Sequence, residues 1–141
     1  MGIVNTVSAR LLEAMNNHDI QAFVACFHDD YHSEQPAHPA RRFIGRDQVH
    51  KNWSILFDSM PDFRAELLRV AVADQVEWAE WHWQATKVNG APLDERGVTI
   101  MGVAEGRIVW GRLYIEETEQ QAIDIDETVA RMAGRSEPPA G

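Results

Sequence analysis

The chain has 141 residues and a formal net charge of −9, from 13 lysines and arginines against 22 aspartates and glutamates. Nucleic acids and anionic lipid surfaces both require a basic face, so this charge balance argues against either as a partner. The length predicts one domain that buries enough apolar surface to fold unaided, and the single cysteine, Cys26, excludes an internal disulfide.

The sequence shows no signal for export or for membrane insertion. The N-terminus lacks a basic segment followed by an apolar run, and no apolar run approaches the roughly 20 residues of a membrane helix. Together with the single cysteine, these features predict a cytoplasmic protein. Cys26 stands among apolar helix residues, so we expect a packed thiol and not a nucleophile.

The first part of the chain predicts three helices. Apolar residues recur with helical spacing in 3–16, in 20–27 and again after Gly45-Arg46-Asp47. Asp19 can cap the second helix, and Pro61 ends the third. Between the second and third helices, the polar segment 28–45 predicts a short strand near 31–35 followed by a loop.

From Phe63 the period of the apolar residues changes to two, which indicates strands. The turn signals Asn89-Gly90 and Glu105-Gly106 divide this part into an antiparallel meander. The predicted strands are 63–73, 76–88, 96–104 and 107–117.

A capping box beginning at Thr118 predicts a final helix over 118–133, which could pack on the sheet or on a partner. The remaining residues, 134–141, predict a loose tail. We therefore expect a single domain over 1–133, with its core in 3–117.

The strand 76–88 alternates between an apolar and a mixed face. We assign Trp81 and Trp83 to the interior, and we expect the row of Trp78 to face outward or to lie in a subunit interface. Glu80 and His82 share that row, and the alternative is that they form an acid–base pair in a pocket.

The strand 107–117 carries an aliphatic row on one face and a chemically rich row on the other. The rich row places an aromatic ring, a cation, a phenol and a carboxylate side by side, which predicts a pocket wall. The alternative is a half-exposed sheet face that carries an Arg–Glu pair. The members of the rich row are Trp110, Arg112, Tyr114 and Glu116.

Histidines and acidic residues crowd the segment 28–38, so a metal site must be considered. The spacing of His28, His32 and His38 matches no zinc motif, and we predict no metal. The expected structure is a solvated loop from which one or two residues, His32 and Glu34 among them, reach a pocket.

Five short motifs stand in an order and spacing that resembles the SnoaL-like branch of the nuclear transport factor 2-like superfamily. They are Asn17-His18-Asp19, the segment from Phe27 to Tyr31, Gly45-Arg46-Asp47, Pro61-Asp62-Phe63 and Glu105-Gly106-Arg107-Ile108. The resemblance spans residues 3 to 117. It implies an α+β fold in which a cone-shaped, curved antiparallel sheet wraps a cavity closed by the N-terminal helices, commonly as a homodimer.

The family includes ketosteroid isomerases, polyketide cyclases, epoxide hydrolases, dehydratases and non-catalytic binding modules, so the fold does not fix the activity. In the cyclases, a histidine three residues after Asp-Tyr points into the cavity, and Glu34 stands at that position here. Their closing strand commonly ends in Trp-x-Tyr-x-Asp, and Glu116 takes the place of that acid/base Asp. The histidine of a Gly-Thr-His segment is replaced by Lys87, and the Asp-Arg-Asp constellation of the epoxide hydrolases is not met.

The first functional hypothesis is a cofactor-independent enzyme that acts on a small hydrophobic carbonyl compound. Glu116 or Glu34 would abstract a proton, and Tyr114 or Arg112 would stabilise the developing oxyanion. The predicted ligand-binding residues are Trp53, Trp81, Trp83, Met101, His32 and Trp110.

Two further hypotheses use the same fold without catalysis. In a binding module, the cavity would hold a hydrophobic ligand, with Arg112 pairing its polar head. In a dimerisation module, the cavity would be filled by side chains. Binding becomes the better interpretation if Glu34 and Glu116 are both paired with arginines such as Arg112 or Arg42, because neither is then a free base.

Overall fold

The computed structural model describes residues 5–136. Four α-helices and six strands follow one another along this part of the chain, with one short 3₁₀ turn before β2. The elements are α1 (Val7–Asn16), α2 (Ile20–Ala25), β1 (Phe27–Glu34), the 3₁₀ turn (Pro39–Arg41), β2 (Phe43–Ile44), α3 (Arg46–Ser59), β3 (Arg64–Ala73), β4 (Val76–Thr86), β5 (Pro92–Ala104), β6 (Arg107–Glu117) and α4 (Ile125–Met132).

The strands form one open sheet in the order β2-β1-β6-β5-β4-β3. The predicted meander is confirmed, because β3 to β6 pair antiparallel in chain order. The first strand differs from the prediction, since β1 pairs parallel with β6 and makes the sheet mixed. The predicted α+β architecture is therefore present, with an N-terminal strand closing one side of the meander.

Helices α1, α2 and α3 pack against one face of the sheet, which we call the inner face. It carries Trp81 and Trp83 of β4, Thr99 and Met101 of β5, and Leu113 of β6. Trp81 and Trp83 are buried, as predicted, and burying an aromatic side chain of this size contributes roughly 1.5–3 kcal/mol. The opposite, outer face carries Trp78, Trp110, Arg112, Tyr114 and Glu116.

A buried carboxylate fastens α1 to the sheet. Glu77, at the start of β4, is buried and accepts hydrogen bonds from Val7 N at 2.9 Å and from Ser8 N at 2.9 Å. The Ser8 hydroxyl donates a third bond at 2.7 Å, and Thr6 Oγ1 accepts from Ala9 N at 3.1 Å. These bonds satisfy N–H groups that a helix start leaves free, and they place a carboxylate at the positive end of the helix dipole.

The second helix is shorter than the sequence pattern predicts. Asp19 caps it through Ala22 N at 3.0 Å, as expected, but the helix ends at Ala25 and Phe27 already begins β1. The apolar residue Phe27 fits a helical stripe and a buried strand position equally well. Pairing with β6 decides between them, because Phe27 lies opposite Ile108.

The predicted start of the last helix at Thr118 is wrong. The helix begins at Ile125, and Asp124 caps it by accepting from Glu127 N at 2.9 Å. The Thr118 hydroxyl instead donates to Asp94 Oδ1 at 2.9 Å, so a contact with β5 replaces the capping role. The predicted tail over 134–141 lies, from residue 137 onward, outside the described residues. Within the part that is described, no helix is long and apolar enough to cross a membrane.

Candidate functional site

A cavity of about 210 Å³ lies between the helices and the inner face of the sheet. Four of the predicted ligand-binding residues line it, namely Trp53, Trp81, Trp83 and Met101. The remaining lining residues are Leu11, Met15, Phe23, Phe27, Tyr31, Ser33, Gln35, Phe43, Val49, Asn52, Leu56, Thr99 and Leu113.

Interlocked aromatic rings form the wall of the cavity. Trp53 of α3 meets Phe23 at a centroid distance of 4.5 Å and Trp83 at 5.4 Å, the latter with an interplanar angle of 83°. Trp81 and Trp83 lie 6.2 Å apart on the floor. Edge-to-face and tilted contacts of this kind hold the rings in fixed orientations, so the wall is largely pre-formed.

Most of the polar groups at the cavity are hydrogen-bonded within the protein. Trp81 Nε1 donates to Thr99 Oγ1 at 2.9 Å, and the Tyr31 hydroxyl pairs with the Ser33 side chain. Burial raises the pKa of Tyr31, and the Ser33 hydrogen bond offsets only part of that effect. The buried Trp83 Nε1 has no partner among the described residues.

Gly111 of β6 is required by the packing of Tyr31. A Cβ at this position would lie 2.5 Å from the Tyr31 hydroxyl oxygen, well inside van der Waals contact. A larger residue would therefore displace the phenol that lines the cavity.

The row that we predicted as a pocket wall lies on the outer face, away from this cavity. Leu113 of the aliphatic row lines the cavity instead, because helices pack against the face with the most apolar surface. The prediction that Trp110, Arg112, Tyr114 and Glu116 wall this cavity is therefore wrong.

The two predicted catalytic carboxylates are both exposed and paired. Glu116 Oε1 lies 2.6 Å from His38 Nε2, and its side chain is 56% exposed. Glu34 Oε2 lies 3.5 Å from Arg112 Nη2, and its side chain is 54% exposed. Water reaches both groups, so neither has the desolvated setting that would activate a carboxylate as a base.

The two other predicted ligand-binding residues also lie outside the cavity lining. Trp110 lies across Gly102 on the outer face, where a Cβ at Gly102 would be 1.9 Å from Trp110 Nε1. His32 is exposed and stands opposite Trp110 in the strand register. The strand alternation of β1 sends Tyr31 and Ser33 inward, and with them His32 and Glu34 outward.

Glu80 and His82 do not form the acid–base pair considered for β4. Glu80 pairs with Arg69 at 2.9 Å, and His82 Nε2 lies 2.9 Å from Asp94 Oδ1. Hydrogen bonds from Thr118 and then from His82 lower the pKa of Asp94. Each member of the proposed pair thus has a different partner on the outer face.

The inner face also carries Glu95, which was not among the predicted site residues. The strand was predicted from residue 96, but β5 begins at Pro92, so Glu95 joins the row of Thr99 and Met101. It stands directly opposite Trp83 on β4 and opposite Glu117 on β6. Burial, and then the carboxylates of Glu117 and Glu116, raise the pKa of Glu95. The alternation of Glu95, Gly97, Thr99 and Met101 was the signal that could have found it.

The histidine-rich segment offers no assembled metal site in the described part of the chain. Residues 5–136 contain no group of three or more histidine, cysteine, aspartate or glutamate side chains placed to hold a metal ion. His28 Nδ1 accepts from Asp30 N at 3.1 Å, and His38 faces Glu116.

Solved structures with the same fold include several proteins of low sequence identity. A putative polyketide cyclase from Streptomyces antibioticus, IdmH, is 18% identical, with 78% of this chain and 89% of that chain covered at a TM-score of 0.67. An epoxide hydrolase of the LEH-like type from M. tuberculosis is 17% identical, with 78% and 80% covered at a TM-score of 0.67.

A hypothetical protein from Catenulispora acidiphila with a ketosteroid isomerase-like fold, solved in complex with trimethylamine, covers more of the chain. It is 12% identical, with 92% of this chain and 93% of that chain covered at a TM-score of 0.68. At such low sequence identities, these matches show that the proteins share a fold and nothing about a shared function. Comparison with curated proteins gave no match.

The model of one protein family matches most of the sequence. The match runs over residues 9–111, from α1 to the middle of β6, and the description of the family is "SnoaL-like domain". The order of helices and strands agrees with the fold that the five short motifs predict. This chain therefore belongs to the family of SnoaL-like domains.

Proposed function

We propose that this protein binds a small, largely apolar molecule in the cavity on the inner face. The composition of the cavity wall carries the proposal. Among the described residues that line it, Tyr31 is the only one with a titratable side chain, and aromatic and aliphatic groups make up most of the rest. A site of this kind favours ligands that gain from leaving water and from ring contacts.

The volume limits the size of the ligand. Sites for drug-sized molecules enclose roughly 300–1,000 Å³. The cavity, at about 210 Å³, fits a smaller molecule such as a single substituted ring. The polar groups at Ser33, Gln35 and Asn52 would orient such a ring by contact with one substituent.

The enzyme hypothesis requires a base that reaches a substrate in the cavity. Glu34 and Glu116 are each engaged by a basic partner on the outer face. Glu34 is paired with an arginine, Arg112, as the binding hypothesis requires, whereas Glu116 contacts His38 and no arginine. Because both carboxylates are exposed and lie outside the cavity lining, the arrangement favours binding over acid–base catalysis.

We also propose that the outer face joins two copies of the chain. Trp78 on β4 and Trp110 and Tyr114 on β6, the two strands that flank β5, are 48%, 36% and 42% exposed, an unusual exposure for aromatic side chains in a monomer. The surrounding charged pairs would form a polar rim. Light scattering on the wild type should give the mass of a dimer, and Trp78→Glu should give the mass of a monomer. A monomeric wild type at micromolar concentration would refute this second proposal.

The cavity proposal is tested with neutral one-ring probes, benzyl alcohol and p-cresol, whose binding is followed by tryptophan fluorescence and calorimetry. We expect Leu113→Trp to abolish binding because the larger ring fills the cavity. Tyr114→Trp, the adjacent position on the outer face, is the matched control and should bind as the wild type does. Equal binding by Leu113→Trp and the wild type would contradict the proposal.

A further inference from the structure

Glu95 differs from every other carboxylate that the fold removes from water. Within residues 5–136, five acidic side chains are buried or half-buried, and four of them have a polar partner. Glu77 accepts three hydrogen bonds, Asp94 binds His82 and Thr118, Glu80 pairs with Arg69, and Glu127 pairs with Arg131. Glu95 is half-buried and has neither an ion pair nor a hydrogen bond within the same range.

The place of Glu95 on the sheet brings it next to a residue of the cavity wall, Trp83. Residues directly opposite on antiparallel strands have Cβ atoms about 4.5–5.5 Å apart, so Glu95 lies beside the indole of Trp83. Arg41 acts on Glu95 electrostatically and also donates to Gln35 Oε1 at 3.0 Å. Glu95 is not itself among the residues that line the cavity, but Trp83 opposite it and Gln35, the partner of Arg41, both line it.

The charges around Glu95 favour the binding of a further cation beside it. Glu117 and Glu116 on β6 both repel it. Lys87, which follows β4, and Arg41 offset part of this repulsion, but Lys87 is paired with Glu117 at 3.0 Å and Arg41 donates to Gln35. A positive group placed beside Glu95 would offset both its desolvation and the repulsion from its neighbours.

We propose that Glu95 anchors the ammonium group of a small organic amine whose apolar part occupies the aromatic cavity. The inference rests on the proposed function and specifies the class of its ligand. Trp83 contributes a second attraction, since an ammonium group within about 6 Å of an aromatic ring centre is stabilised by the ring. The apolar part of the amine then contacts Trp53, Trp81 and Met101.

This arrangement predicts a pH dependence of binding. The ionised form of Glu95 holds the amine, and its pKa lies above the ordinary value of 4.5. Affinity for the amine should therefore fall as the pH decreases through that raised pKa. The groups that face Glu95 are Glu116, Glu117, Lys87 and Arg41, and the last two keep their charge over this range.

The test compares two probes of nearly equal shape, benzylamine and benzyl alcohol, by calorimetry at pH 7. For the wild type we expect the amine to bind about tenfold more tightly or better, as a charge-assisted contact provides. Glu95→Gln should remove that preference and leave the affinity for the alcohol within about twofold. Glu13→Gln, which removes the same charge from the exposed side of α1, should keep the preference.

Two results would overturn the inference, and they separate it from the proposed function. If the alcohol binds the wild type as tightly as the amine does, or if Glu95→Gln keeps the preference, the cavity binds molecules but Glu95 is not the anchor. If neither probe binds, the proposed function fails and the amine inference fails with it. An unfolding transition of Glu95→Gln that is as cooperative as that of the wild type, with a midpoint no lower, excludes misfolding as the cause of a lost preference.

Discussion

Two carboxylates on the inner face of the sheet, one towards each end, have opposite surroundings. Glu77 lies opposite Met101 and is surrounded by three donors from α1. Glu95 lies opposite Trp83 at the other end, beside two further carboxylates and without a bonded partner. The first carboxylate holds a helix in place, and the second remains available to a ligand. A buried charge that is satisfied serves the fold, whereas one left unsatisfied marks a place where something else can bind.

The largest loss of stability is expected when Glu77 is replaced. Glu77→Ala leaves the N–H groups of Val7 and Ser8 and the Ser8 hydroxyl without their acceptor in a buried setting. We expect a loss of about 3 kcal/mol in the free energy of unfolding, measured by urea denaturation. Glu13→Ala on the exposed side of the same helix is the control and should change that free energy by less than about 0.5 kcal/mol. A similar effect for both substitutions would show that Glu77 does not fasten α1.

The substitution Glu95→Gln should change the stability less than Glu77→Ala does, and it should raise the stability instead of lowering it. Because the pKa of Glu95 is raised on folding, the folded protein binds more protons than the unfolded chain between the ordinary value of 4.5 and the raised value. The wild type therefore loses stability from this group as the pH rises through that interval, and the loss is complete above it. At pH 7 we expect the variant to melt about 1–3 °C higher than the wild type.

Thermal melts of both proteins at pH 4 and pH 7 check this prediction. The difference in Tm should vanish at the lower pH, where Glu95 is protonated in the folded protein and mostly so in the unfolded chain. A variant that melts lower than the wild type at pH 7 would show that Glu95 has a stabilising partner.

Replacing the outer-face carboxylates Glu34 and Glu116 should have the smallest effects on stability and on binding. Glu34→Gln removes an exposed ion pair with Arg112, and Glu116→Gln removes an exposed contact with His38; each is worth about 0–1 kcal/mol. We expect both variants to bind benzyl alcohol as the wild type does, measured by calorimetry. If either variant no longer binds benzyl alcohol, the binding site lies on the outer face and not in the cavity.

The sequence predicted the elements whose residues interact locally or with a simple period. The meander from β3 to β6 follows from alternation and from the turns at Gly90 and Gly106, whose φ angles of 86° and 77° favour glycine. The inward positions of Trp81 and Trp83 follow from the same alternation.

The candidate site was harder to predict, because its position depends on which face of the sheet the helices cover. The strand β6 offers an aliphatic row and a functional-looking row, and only the packing of α1 to α3 assigns the former to the cavity. Glu95 was missed because the start of β5 depends on pairing with Thr86 across the hairpin and with Glu117, which is distant in the sequence. The parallel pairing of β1 with β6 was not predicted either, because it joins segments that are far apart in the sequence.

The most direct test of the inner face as the binding site uses the five tryptophans as reporters. Their indole N–H signals in a ¹H–¹⁵N spectrum divide into three from the cavity, Trp53, Trp81 and Trp83, and two from the outer face, Trp78 and Trp110. On titration with benzylamine we predict that the three cavity signals shift, with Trp83 beside Glu95 shifting most, and that the two outer signals stay in place. Shifts confined to Trp78 and Trp110 would contradict the account and place the site on the outer face.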